Sequence, residues 1–256
     1  PKNYKPEQPI PVVVALHGLG GNMEGFSRVT GIEDLAEKEN FITIIPNGLP
    51  SNLRGWNAGF FRMAGTNDDS KTLLDILDKV QAEFKTDAKR IHMFGHSNGA
   101  MMTYYMGGIA SERFASIAGI AGTVGIPTAT GDIKAVPTPK SPMSVLMIHS
   151  KGDRMVAFEK GAQALLQCTG AIEGADWWAT QFGCKAEPET DAPTYTTQLR
   201  KGGKQGVEVK LIAVKEGTHD IPGAFLSSGR ESKTGLLAIE EVWNFFKTHP
   251  KPSDLN

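Results

Sequence analysis

Apolar positions along the chain follow two rhythms. Short runs dominated by apolar and β-branched residues recur at 12–16, 41–46, 90–94, 115–121 and 145–148, each stopped by glycine, proline or a polar residue. Runs of that length without alternation are expected of strands buried on both faces of a parallel sheet. Between them the spacing lengthens to three and four: Leu73, Leu74, Ile76, Leu77, Val80 and Phe84 mark one face of a helix that Asp68 or Asp69 can cap. Helices are also predicted over 29–39, 100–110, 159–167, about 172–182 and 236–246, and two closing strands or a hairpin over 194–200 and 207–214. Strands alternating with helices imply an α/β fold, a mainly parallel sheet covered on both faces, with ligands gathering at the carboxyl ends of the strands.

Two segments resist this scheme. Residues 123–142, with Pro127, Pro137, Pro139 and Pro142, read as a loop. The connection 49–67 is longer than a minimal one and carries Gly55, Trp56, Asn57, Gly59, Phe60 and Phe61. Its aromatics either line a substrate cleft, for which Trp56 is the candidate, or fold down as a small satellite core.

Composition narrows the classes. The 256 residues suit one domain over 1–256, at 40% hydrophobic and 21% charged. The 27 basic and 28 acidic side chains are spread along the chain for a net charge of −1, which argues against a nucleic-acid or anionic-lipid surface. The longest apolar runs fall short of the roughly 18 residues of a membrane helix. Cys168 and Cys184 are compatible with one disulfide or with two buried thiols. The chain opens on Pro1 without an initiator methionine or apolar signal segment, as expected of a processed or trimmed chain.

Chemistry concentrates after the strands. Gly95-His96-Ser97-Asn98-Gly99 lies between an apolar run and a helix-forming stretch, the context of a nucleophile elbow, in which a sharp turn lifts the serine oxygen above the sheet. A serine hydroxyl needs a base, and the base needs a third group to fix its tautomer. Of the six histidines, only His219 lies on a loop after a late strand and downstream of an acid that itself follows a strand. That acid is Asp153, preferred over Asp132 because the run 145–148 leads directly into it. The order Ser97, Asp153, His219 is that of the α/β-hydrolase arrangement. The glycine-rich turn His17-Gly18-Leu19-Gly20-Gly21 follows the first strand and supplies an oxyanion donor at the amide of Leu19, with Gly20 next. The residue after the nucleophile, Asn98, supplies the other. No nucleotide motif is completed in that turn, no histidine pair has helix spacing of the H-E-x-x-H kind, and neither cofactor nor metal is expected.

Taken together, the segments at 16–21, Trp56-Asn57, 95–102, Gly152-Asp153 and 217–223 resemble the polyhydroxybutyrate depolymerase and feruloyl esterase-like group of α/β-hydrolases, over about residues 11–248. The resemblance implies an often exported carboxylic ester hydrolase acting on hydroxyalkanoate esters or on phenolic esters attached to plant polysaccharide. It also favours a secreted or periplasmic location and, through it, a Cys168–Cys184 bridge. Thr218 and Ile221 stand where that group usually carries glycine and an aromatic residue, which puts the usual substrate-side surface in question. Acyl transfer to an alcohol, or a non-catalytic binding module on the same scaffold, are the alternative readings.

Overall fold

A computed structural model describes residues 1–48, 53–61, 68–130, 132–159, 164–224 and 235–251. The chain runs β1 (Ile10–Leu16), α1 (Met23–Thr30), α2 (Ile32–Glu39), β2 (Ile42–Ile44), α3 (Asp69–Glu83), β3 (Thr86–His96), α4 (Asn98–Ile109), β4 (Ser116–Ile120), β5 (Gly125–Pro127), β6 (Ile133–Ala135), β7 (Ser144–Ser150), α5 (Ala171–Phe182), β8 (Lys185–Ala186), β9 (Thr190–Asp191), β10 (Tyr195–Lys201), β11 (Val209–Val214) and α6 (Ala238–Thr248). The main sheet has nine strands in the order β2-β1-β3-β4-β7-β11-β10-β8, with β9 beside β10. Pairings from β2 to β11 are parallel, and β10 joins antiparallel through its hairpin with β11.

Alternation along the strands divides the core into two layers. Val12, Val14 and Leu16 of β1 pack with Met93, Ile117, Met147 and Leu211 under α3, α4 and α5. Val13 and Ala15 pack with Phe94, Ala118, Ile148 and Ile212 under α1, α2 and α6. Every residue of β1, β4 and β7 is buried, as a sheet covered on both faces requires. Helix α4 is buried almost all round, with only Tyr105 and Ile109 outside the buried set, so it sits at the centre of its layer.

Three local expectations change. The helix over 29–39 is two helices divided at Gly31, whose φ of 64° ends α1 and starts α2 at an angle. The segment 123–142 contains the β5–β6 hairpin, which tolerates Pro127 because it lies at the end of a short edge strand. Residues 164–167 and Glu159 are not helical; Leu165 and Leu166 donate to the carbonyls of Arg154 and Met155, and Leu166 pairs with Val156. Those backbone bonds replace the ones a short helix would have made, and 160–163 lie outside the described residues. The connection 49–67 is described only at 53–61.

No disulfide links the cysteines: both thiols are free. Cys168 precedes α5 and Cys184 follows it, so twelve helical residues hold them about 18 Å apart along the axis, beyond the reach of a disulfide. The bridge favoured by the resemblance is thereby overturned. Among the described residues no helix is long and apolar enough to cross a membrane.

Candidate active site

Strand β3 delivers Ser97 at its end, and α4 begins one residue later. Ser97 adopts φ 56° and ψ −120°, a strained region for a residue with a side chain. The strain is held from both sides: Ser97 N–H donates to Ile120 O at 2.8 Å, and Met101 N–H donates to Ser97 O at 3.0 Å. The flanking glycines are needed for closeness. A Cβ on Gly95 would collide with the Gly99 backbone, and one on Gly99 with the carbonyls of Leu16 and His17.

Strand β7 ends in a turn that carries Asp153, and the loop after β11 carries His219. The structure brings both to Ser97. The Ser97 hydroxyl lies 2.7 Å from His219 Nε2, and His219 Nδ1 lies 2.8 Å from Asp153 Oδ2. Since a carboxylate only accepts, Nδ1 carries the hydrogen and Nε2 is left to accept from the serine. The Asp153 side chain is fully buried. Burial would push its carboxyl up, but donors from His149, His219 and the Val156 amide outweigh that and hold it well below the usual carboxylate range. Its other oxygen accepts from the Met155 and Val156 amides at 2.8 and 3.0 Å. An imidazole oriented this way can take a hydroxyl proton and hold the resulting charge against a carboxylate.

The two residues expected to supply oxyanion donors lie at the same space. Leu19 and Asn98 both border the cleft at Ser97, and among the described residues neither amide has a hydrogen-bond acceptor. Gly20, the second choice in that loop, is excluded as donor because its amide binds Arg54 O at 2.7 Å. The Asn98 amide also belongs to the first turn of α4, where unpaired N–H groups and the helix dipole favour negative charge.

Trp56 is not a wall of this cleft. It is 3% exposed, its indole N–H donates to His17 O at 2.8 Å, and its backbone is gripped by the Asn98 side chain. Neither alternative holds as stated: Trp56 folds down into the main core beside Val14 and Leu16, and it ties the first glycine loop to the elbow. His17 supports the same loop: its Nδ1–H donates to Gly18 O at 2.8 Å and its Nε2 accepts from Gly48 N–H at 3.0 Å. Asp69, one of the two cap candidates, is buried and accepts from the Asn57 amide at 2.7 Å, whereas Asp68 caps α3.

The cleft beside Ser97 encloses about 450 Å³ and is walled by Leu19, Leu53, Phe61, Met101, Met155 and Leu165. Among the described residues that line it there is no Asp, Glu, Lys or Arg. Its rim is unusually apolar for a surface, with Leu19, Leu53, Met155 and Leu165 all exposed.

Sequence reasoning missed two histidines at this site. His96 packs its ring 5.1 Å from that of His219, and burial, aided by His219, pushes it down to about 3, so it stays neutral beside that ring. His149, from β7, is 2% exposed and lies 3.3 Å from Asp153 Oδ2. Its spacing of four residues before Asp153 was the available signal.

The Esterase family model matches residues 1–222. The chain is 23% identical over 252 residues to the bifunctional acetylxylan esterase/xylanase XynS20E of Neocallimastix patriciarum, covering 96% of this chain and 32% of that protein. To feruloyl esterase B of Neurospora crassa it is 33% identical over 113 residues, 43% of this chain and 38% of that one. To the probable feruloyl esterase C of Aspergillus niger it is 26% identical over 255 residues, covering 96% and 81%. The chain thus spans under two-fifths of the first two of these relatives. Among solved structures, the acetyl xylan esterase from Aspergillus awamori superposes with a TM-score of 0.64 at 19% identity over 87% of each chain, a likeness of fold. By sheet order, elbow and family match, the chain belongs to the Esterase family and has the α/β-hydrolase fold.

Proposed function

We propose that the chain forms one catalytic domain that hydrolyses neutral esters with a bulky apolar acyl group through a serine acyl-enzyme. The continuous chain from Ser97 Oγ through His219 to Asp153, at 2.7 and 2.8 Å, is the observation that carries this reading. In it His219 takes the Ser97 proton as Oγ attacks the carbonyl carbon. The amides of Leu19 and Asn98 hold the oxyanion, each worth about 3 kcal/mol where such donors have been removed. Collapse expels the alcohol, which receives the proton from His219, and a water then repeats the sequence on the acyl-enzyme.

The uncharged, apolar cleft supports a neutral acyl part, and its volume supports one much larger than acetyl. An aromatic acyl of the feruloyl kind, linked to a plant polysaccharide, fits both. Such a substrate goes with an extracytoplasmic setting, although the free thiols remove the cysteines as support for it. A fluorophosphonate probe is expected to label Ser97, and Ser97→Ala to abolish hydrolysis of methyl ferulate and of p-nitrophenyl esters. Full activity in that variant overturns the reading.

A further inference from the structure

The Asp153 carboxylate is held from two sides by imidazoles, and the triad uses only one of them. His149 Nε2 lies 3.0 Å from Val156 O and 3.3 Å from Asp153 Oδ2. Both neighbours are acceptors, so Nε2 carries a hydrogen. The contacts close on themselves: His149 donates to the Val156 carbonyl, the Val156 amide donates to Asp153 Oδ1 at 3.0 Å, and Asp153 Oδ2 faces His149 again. The ring cannot swing away, being 2% exposed and set edge-on against Phe158 at 5.9 Å.

We propose that His149 is a positioning residue for the catalytic acid: its Nε2–H fixes the Asp153 carboxylate toward His219 and tempers the basicity it presents to the imidazolium. The Nε2 hydrogen donated to the Val156 carbonyl also lies 3.3 Å from the oxygen shared with His219, and its partial positive charge there draws charge away from that bond. The same donor holds Val156, which lines the cleft at Ser97, so acid and cleft wall are set by one side chain. The other titratable groups around this cluster are His96 from β3, His219 and Asp220 from the loop after β11, and Cys168 ahead of α5. None of these supplies Val156 O with a hydrogen. Loss of the His149 donor therefore leaves a more basic carboxylate and a His219 that holds its proton to higher pH.

The kinetic test rests on the reading of Ser97, Asp153 and His219 as the reacting set. His149→Leu and His149→Asn, which lack a donor at the Nε2 position, are compared with His149→Gln, which keeps one. In the first two, the acid limb of the kcat/KM–pH profile is expected to move up by about half a pH unit, with kcat down roughly tenfold and KM little changed. Gln is expected to keep the wild-type limb. Folded Leu or Asn variants with an unmoved limb overturn the proposal, as does a Gln variant that shifts as far as they do. A second measurement needs no variant: in 15N-histidine-labelled wild-type protein, His149 is expected to show a protected Nε2–H proton at neutral pH. Its absence, or an Nδ1–H tautomer, overturns the proposal whether or not the variants fold. A wild-type protein that shows the protected proton but hydrolyses no ester refutes the esterase reading alone.

Discussion

Trp56 and Asn98, 42 residues apart, hold each other by two bonds: the Trp56 amide donates to Asn98 Oδ1 at 2.7 Å, and Asn98 Nδ2 donates to the Trp56 carbonyl at 3.0 Å. The side chain of the residue after Ser97 thus anchors a distant loop, while its backbone amide has no hydrogen-bond acceptor among the described residues. Trp56 in turn binds the His17 carbonyl, two residues ahead of Leu19. One residue therefore ties together both chain segments that carry the proposed oxyanion amides.

Asn98→Ala keeps the backbone amide but leaves two buried groups of Trp56 unpaired. Each costs about 1–3 kcal/mol. The expected result is a lower Tm and a fall in kcat larger than any change in KM, measured by thermal unfolding and steady-state kinetics. An unchanged kcat in the folded variant refutes the anchoring role.

Gly99→Ala places a methyl group against the Leu16 and His17 carbonyls, both backbone and neither able to give way cheaply. We expect a loss of about 3 kcal/mol or more, read by urea unfolding or by failure to recover soluble protein. Gly31→Ala, whose added methyl has open space around it, should lose far less despite its positive φ.

Acid should weaken the fold through His92. It is buried, its Nδ1 pairs with Ser116 Oγ at 2.8 Å, and burial pushes it down to about 3. A histidine lowered on folding is protonated in the unfolded chain first. Stability therefore falls as pH drops from the ordinary histidine range, near 6.5, toward 3, by at most about 1.4 kcal/mol per pH unit. His92→Asn, whose amide can replace Nδ1, should flatten that part of the stability–pH curve; an unchanged slope excludes this source. Asp153 acts with the same sign at lower pH: its carboxyl is also lowered in the folded state, so its stabilisation is complete above the usual carboxylate range and is lost as pH falls below it.

Cleft size should set acyl preference. Met155→Trp narrows the space from an exposed wall position. It is expected to lower kcat/KM for methyl ferulate by roughly tenfold or more while sparing p-nitrophenyl acetate. Equal losses on both esters argue against the bulky-acyl reading.

Both thiols should react with a thiol reagent in denaturant without prior reduction, and a reductant should leave the Tm unmoved, since no bond joins Cys168 to Cys184. A reductant-sensitive Tm refutes this.

The sequence by itself determined the layered plan and the order of the chemistry. Apolar runs of strand length bounded by turn residues fit buried strands, and a glycine-bounded serine between strand and helix has one economical geometry. Ser97, Asp153 and His219 were legible because each follows a strand, so the sheet brings their ends to one rim. Tertiary structure decided what depends on contacts between distant segments. Trp56 turned inward because its indole N–H found His17 O, 39 residues away, and Gly20 lost its amide to Arg54. Leu165 and Leu166 left the helical pattern because the turn carrying Asp153 offered them carbonyl partners. The cysteines stayed apart because a rigid helix lies between them, and His149 came to the acid because β7 and its turn fold back on the same carboxylate. Local pattern carries no information about which partner a polar group will find across the fold, and at this site the partners set which amides and rings are available for chemistry.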